Sequence, residues 1–119
     1  MMQHVLFISV DDLNLCVGAF GHRQIHTPNM DRLAARGMRF PLTFSQWPAC
    51  APSRMSFLSG LRPDCIGVMD FQTPLRKHLA EVVPMPEHFK NEGFFTARVD
   101  KVYHIGKDDP QSWNLSEEG

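Results

Sequence analysis

A chain of 119 residues, 43% hydrophobic and with a formal charge of −1, has the length for one buried core, so a single domain over residues 1–119 is the expectation. Its balanced charge, with no stripe of Lys or Arg, excludes a surface that tracks a phosphate backbone and hence nucleic acid as a partner. The longest apolar run, Val5 to Val10, is far too short to span a bilayer and lacks the flanks of a signal peptide, so neither membrane insertion nor an export signal is read from it.

Val5 to Val10 is a continuous apolar, β-branched run of the kind buried on both faces of a parallel sheet, and a strand is expected there. Asp11 and Asp12 follow at its carboxyl end. Neighbouring side chains on a strand point to opposite faces, so these two carboxylates can share one ion only if the backbone turns at that point. Paired this way they form a hard oxygen site suited to Ca²⁺ or Mg²⁺; the alternative is that they cap a loop. Leu15 to Gly21 reads as a loop, with His22 and His26 as loop-bracing residues. Thr27 as N-cap and Pro28 at the first helical position predict a helix that packs through Met30, Leu33 and Ala34 and ends at Gly37. Met38 to Phe44 is demoted by Pro41 to an edge strand or an irregular segment.

The stretch Cys50-Ala51-Pro52-Ser53-Arg54-Met55-Ser56-Phe57-Leu58-Ser59-Gly60 reads as a loop entering a helix. Pro52 suits the first turn and Gly60 the left-handed end. Cys50 then stands where unpaired N–H groups and the helix dipole favour a thiolate or a bound oxyanion, with Arg54 one turn on. A buried, unreactive Cys50 and a solvated Arg54 are the competing reading. Leu61-Arg62-Pro63-Asp64 breaks regular structure, since the residue before a proline avoids the helical region. Residues 65–83 are weakly patterned, and the basic cluster Arg76, Lys77 and His78 reads as a solvated loop. Pro86 to Glu92, closed by Gly93, predicts a helix with Phe89 facing inward and Glu87 in the first turn, and Phe94 to Val99 a strand returning to the sheet. Lys101 and His104 follow that strand. In open α/β sheets ligands bind beyond the carboxyl ends of strands, which puts Asp11, Asp12, Lys101 and His104 at one edge by a single rule. The tail from Lys107 is polar, with Trp113 as its large anchor, and no second domain, linker or repeat is evident. Three cysteines, Cys16, Cys50 and Cys65, are too few and too odd in number for a disulfide scaffold and point to a reduced compartment, although with Cys50 modified the other two can pair.

The run Cys50-Ala51-Pro52-Ser53-Arg54 resembles the signature of the type I sulfatases, whose cysteine is oxidised to formylglycine. Val5 to Leu13, His26 to Ala34, Ser53 to Leu58, Arg62-Pro63-Asp64 and Lys101-Val102-Tyr103-His104 extend that resemblance over nearly the whole chain. It implies an alkaline-phosphatase-like three-layer α/β sandwich with a mostly parallel sheet, of which this chain carries the N-terminal part. It also implies a sulfuric ester hydrolase acting on a sulfated small molecule or glycan, of the uronate 2-sulfate type. Catalytic roles are implied for Cys50, Arg54, Lys101 and His104, and metal ligation by Asp11, Asp12 and the modified Cys50 to Ca²⁺, with Mg²⁺ as the alternative ion. A formylglycine-generating enzyme, or an equivalent, is the implied partner, and the remaining metal ligands, a second Lys and a second His are expected in a C-terminal region beyond this sequence. Two positions depart from the family pattern. Leu61 stands where relatives usually carry Arg, and Asp100 where Gly is frequent. Two other readings stay open: a phosphodiester or phosphonate hydrolase of the same superfamily, and a non-catalytic remnant that binds anions or a partner chain.

Overall fold

A computed structural model describes residues 4–117, and the chain divides into two compact units, Met1–Phe44 and Ser45–Gly119.

In the first unit the run Val5 to Val10 is not a strand. Leu6 is 84% and Ile8 68% exposed, and the sheet found among the described residues does not include the run. A two-faced strand is held by its ladder neighbours and by cover on both faces, so an apolar, β-branched sequence does not make one without them. The predicted turn after it is present: Asp12 and Asn14 take positive φ of 53° and 57°, conformations that Asp and Asn tolerate best among residues with a Cβ. A 3-10 turn, Gly18–Phe20, and helix α1, Pro28–Ala34, complete the unit. Thr27 precedes α1 and Pro28 opens it, as the residue types dictate. The expected packing face is not buried, however: Met30 and Leu33 are exposed. Polar bonds hold α1 instead. Asp31 Oδ1 accepts from the Ala19 N–H at 2.7 Å and from Thr27 Oγ1 at 3.0 Å, while Thr27 Oγ1 accepts from the Gly18 N–H at 2.8 Å. Asp31 comes so close that a Cβ on residue 18 would lie 2.5 Å from its Oδ2, so any side chain there would push the carboxylate off these bonds.

The second unit is built on helix α2, Cys50–Ser59. Its first-turn N–H groups have no intrahelical partner, so Pro52 costs nothing there. Gly60 ends it with φ of 71°, and its N–H donates to the Ser56 carbonyl at 2.8 Å. Met55 and Leu58 from α2 join Ile66, Val68, Leu75, Val82 and Tyr103 in the core, with Met85, Val102 and Trp113 packed at its margin. Arg62 is extended as expected before a proline, but Pro63 then opens a short helix, α3, Pro63–Ile66, rather than a plain break. Helix α4 spans Met85–Asn91, and Phe89 meets Phe94 edge to face at 5.2 Å.

Strand β1 covers only Ala97–Val99, and the polar tail contributes a strand that its composition does not announce, β2, Leu115–Glu117. They pair in parallel with Ala97 opposite Leu115. Parallel pairing obliges the chain to cross back over itself between the strands, and that crossing, residues 100–114, carries Lys101, His104 and a 3-10 turn, Pro110–Ser112. The parallel α/β character is therefore present. The three-layer sandwich is not formed by the described residues, which supply two strands of three residues each. No helix among them is long and apolar enough to cross a membrane.

Candidate active site

Helix α2 delivers Cys50 as its first residue, partly buried, and the crossing segment after β1 delivers His104: Cys50 Sγ lies 3.6 Å from His104 Nδ1. These residues are 54 positions apart. The link between the two segments is Arg54. Its guanidinium is nearly sealed from solvent, and Nη1 donates to the carbonyl oxygens of Lys101 at 2.8 Å and Val102 at 2.9 Å. Charge-assisted bonds from a rigid planar group to two successive carbonyls fix the backbone that presents Lys101 and His104. Asp100, just before them, takes a left-handed φ of 58°, which ends β1 and turns the chain toward α2. Its carbonyl accepts from Arg98 Nη1 at 2.6 Å. A cavity of about 110 Å³ lies against Lys101 and His104, with Arg98, Asp100 and Asp108 also on its wall. At roughly 10–15 Å³ per water it is large enough for a small anion.

Beneath this surface lies a buried polar network that the sequence reading missed. Arg76, expected in a solvated cluster, clamps Asp109 through Nε–Oδ1 at 2.7 Å and Nη2–Oδ2 at 2.8 Å. Nη2 also donates to Glu87 at 2.6 Å and Nη1 to the Val82 carbonyl at 2.7 Å. Asp109 in turn accepts from Ser112 Oγ at 2.6 Å, and Ser112 Oγ pairs with the Tyr103 hydroxyl at 2.9 Å. Burial alone would raise the Asp109 carboxyl, but hydrogen bonds from Arg76 and Ser112 outweigh it and hold the group below its ordinary value. The same bond to Asp109 holds Arg76 firmly protonated, and burial pushes the Tyr103 phenol above its usual range. Tyr103 lies between Val102 and His104, so the network anchors the segment that carries the site. A lone tyrosine inside a Lys-x-x-His run was the available signal for it; nothing in the spacing connects Arg76 to a carboxylate 33 residues away.

Asp11 and Asp12 lie in the first unit, exposed at their turn. Among the described residues no three His, Cys, Asp or Glu side chains are gathered as a metal ion needs. Two aspartates are donors of the right hardness for Ca²⁺, but that ion takes about six to eight oxygens, so the residues present do not complete a shell for it.

Known proteins can now be set beside this geometry. The sulfatase family model matches residues 3–114. The chain belongs to the sulfatase family. It is 40% identical over 118 residues to iduronate 2-sulfatase of Homo sapiens, covering 94% of this chain and 22% of the relative. It is also 36% identical over 108 residues to a sulfatase of Formosa agariphila, covering 85% and 21%. Against choline-sulfatase of Rhizobium meliloti it is 31% identical over 106 residues, covering 88% and 20%. The chain thus spans about a fifth of the length of these sulfatases. Membership implies an alkaline-phosphatase-like α/β fold, and the small parallel sheet with flanking helices agrees with it. Sulfatases generally use formylglycine together with a divalent metal. The position of Cys50 fits such a modified residue, at the opening of a helix and beside an imidazole; the described residues by themselves do not fit the metal.

Proposed function

We propose that the chain is the N-terminal part of a sulfuric ester hydrolase that removes sulfate from a sulfated carbohydrate, of the uronate 2-sulfate type, with Cys50 as the precursor of its nucleophile. The observation that carries this reading is the approach of Cys50 Sγ to His104 Nδ1 at 3.6 Å, on a segment that includes Lys101 and whose backbone is clamped from the nucleophile's own helix. Oxidation of Cys50 to formylglycine, followed by addition of water to the aldehyde, would supply a geminal diol whose hydroxyl is an oxygen nucleophile where the thiol stands. The roles of the other residues follow from their positions. His104 presents Nδ1 to the side chain of residue 50 and can hold a proton there while that side chain reacts. Lys101 supplies a point charge for a sulfate oxygen as negative charge moves toward the leaving alcohol. Arg54 keeps α2 and the Lys101–His104 turn in register, so that nucleophile and cation meet one substrate in a fixed geometry.

Peptide mass spectrometry on protein from the native host tests the nucleophile: a fraction of Cys50 converted to formylglycine is expected, and a wholly unmodified thiol refutes this mechanism. Hydrolysis of an aryl sulfate compared with an aryl phosphodiester tests the reaction. Preference for the phosphodiester would reassign the chain to phosphoryl chemistry on the same signature.

A further inference from the structure

The bonds from Arg54 and Lys107 and the burial of Tyr103 fix the backbone of the Lys101–His104 segment, and the imidazole of His104 makes its own contacts. Arg54 binds the carbonyls of residues 101 and 102, Tyr103 is buried to 2% exposure, and the His104 carbonyl accepts from the Lys107 N–H at 2.8 Å. A histidine on a fixed backbone still has two side-chain torsions, and only some rotamers aim Nδ1 at residue 50.

The ring meets Cys50 on one side and Phe71 on another. The centroids of Phe71 and His104 are 5.5 Å apart with 39° between the planes, inside the range at which aromatic rings attract. Phe71 is 46% exposed and is no part of the core cluster, so covering the core does not account for its placement. It is nonetheless held firmly. Asp70 Oδ1 accepts from the N–H groups of Gln72 and Thr73, each at 2.7 Å, and Oδ2 accepts from Thr73 Oγ1 at 3.1 Å. These bonds close the turn whose tip is Phe71. The backbone bonds from Thr73 and Gln72 hold the Asp70 carboxyl below its ordinary value, so the turn is kept at any pH at which the carboxylate is ionised. A half-exposed aromatic ring on a locked turn is therefore brought against the one imidazole that faces the helix opening.

We propose that Phe71 is a positioning residue: its ring packs on His104 and favours the rotamer that turns Nδ1 toward the side chain of residue 50. The inference rests on the hydrolase reading for its catalytic consequence, but not for its geometry. Removing the ring takes away this packing contact of the imidazole while leaving the core and the backbone anchors intact. Tyrosine at this position keeps the aromatic ring and with it the contact to His104.

The test compares Phe71→Ala and Phe71→Tyr with the unsubstituted chain. First, a nuclear Overhauser contact between the His104 ring and the Cys50 methylene is measured, with a thermal melt to verify folding. We expect the contact in the unsubstituted chain and in Phe71→Tyr, and its loss in Phe71→Ala. A contact of undiminished intensity in Phe71→Ala overturns the proposal, and so does an equal loss in both variants. Second, turnover of an aryl sulfate is measured with residue 50 converted. Phe71→Ala is expected to lower kcat about tenfold to a hundredfold, the range that misplacing a reacting group produces, while Phe71→Tyr stays near the parent. Equal kcat in both variants refutes positioning. Absence of turnover in the unsubstituted chain, which carries only the N-terminal part of the proposed site, leaves the Overhauser contact to decide the role of Phe71.

Discussion

Replacing Asp109 with asparagine removes one negative charge from the network under the site and leaves the shape of the side chain nearly unchanged. Asp109 is 5% exposed and accepts three hydrogen bonds, two from Arg76 and one from Ser112. Asparagine has a single acceptor oxygen, and its amide nitrogen would face a donor that had been bonded to oxygen. Breaking a buried ion pair costs about 3–5 kcal/mol when a charge is left uncompensated. Arg76 still keeps Glu87 at 2.6 Å and the Val82 carbonyl at 2.7 Å, so a smaller loss, about 2–3 kcal/mol, is the expectation for losing charged hydrogen bonds alone. For a unit of this size that lowers Tm by about 4–8 °C for each kcal/mol. Thermal and urea melts at neutral pH measure it, with Arg62→Ala as a control. Arg62 and Asp64 pair at 3.1 Å but are 71% and 56% exposed, so the control should lose at most about 0.5 kcal/mol. The pH dependence has a definite sign. The carboxyl of Asp109 is depressed in the folded chain, so its contribution is full above the unfolded value of about 3.9 and is lost as pH falls through the lower folded value. Asp109→Asn should therefore lack that part of the acid transition. A loss below about 1 kcal/mol, or an unchanged acid profile, would refute the assignment of this network as an anchor, since both effects come from the same ion pair.

Three further outcomes are expected. Arg54→Met keeps the bulk of the side chain but strips the Lys101 and Val102 carbonyls of their donor, for a loss of about 2–4 kcal/mol in a urea titration. Gly67 ends α3 at φ of 70°, and a Cβ there would lie 2.7 Å from His78 Cδ2. His78 is exposed and can move, so Gly67→Ala should cost about 1–2 kcal/mol from the left-handed backbone, and adding His78→Ala should recover little in the same melt. Tyr103 is the one tyrosine of the chain, so tyrosinate absorbance reports it alone. Burial raises its folded value above the unfolded one, so its stabilising contribution is full below about pH 10 and is lost as pH rises through the folded value. Ionisation should coincide with alkaline unfolding rather than precede it.

Local features were legible because their causes are local. Pro52 and Gly60 mark the two ends of α2 through the backbone conformations that those residues allow, and Pro86 and Gly93 bracket α4 in the same way to within two residues. The turn after Val10 needed only two acidic residues at the end of an apolar run, and Asp12 supplies the positive φ. Cys50 at a helix opening and Lys101 and His104 beyond a strand end were legible because each placement is a property of a short segment. The strand expected at Val5 to Val10 failed for the opposite reason, since strand character depends on neighbours that a segment does not contain. β2 arose from a polar tail because β1 offered it a ladder.

By itself, then, the sequence determined the ends of α2 and α4 to within two residues and the family to which the chain belongs. Tertiary structure alone decided that Arg76 is half-buried and paired with Asp109 rather than solvated, that Arg54 spends two of its hydrogen bonds on the backbone behind Lys101, and that Phe71 meets His104. Each of those is a contact between segments more than 30 residues apart, and no local preference of the backbone encodes a partner at that separation. The partner is selected when burial removes water from a charge or a ring and the nearest complementary group takes its place.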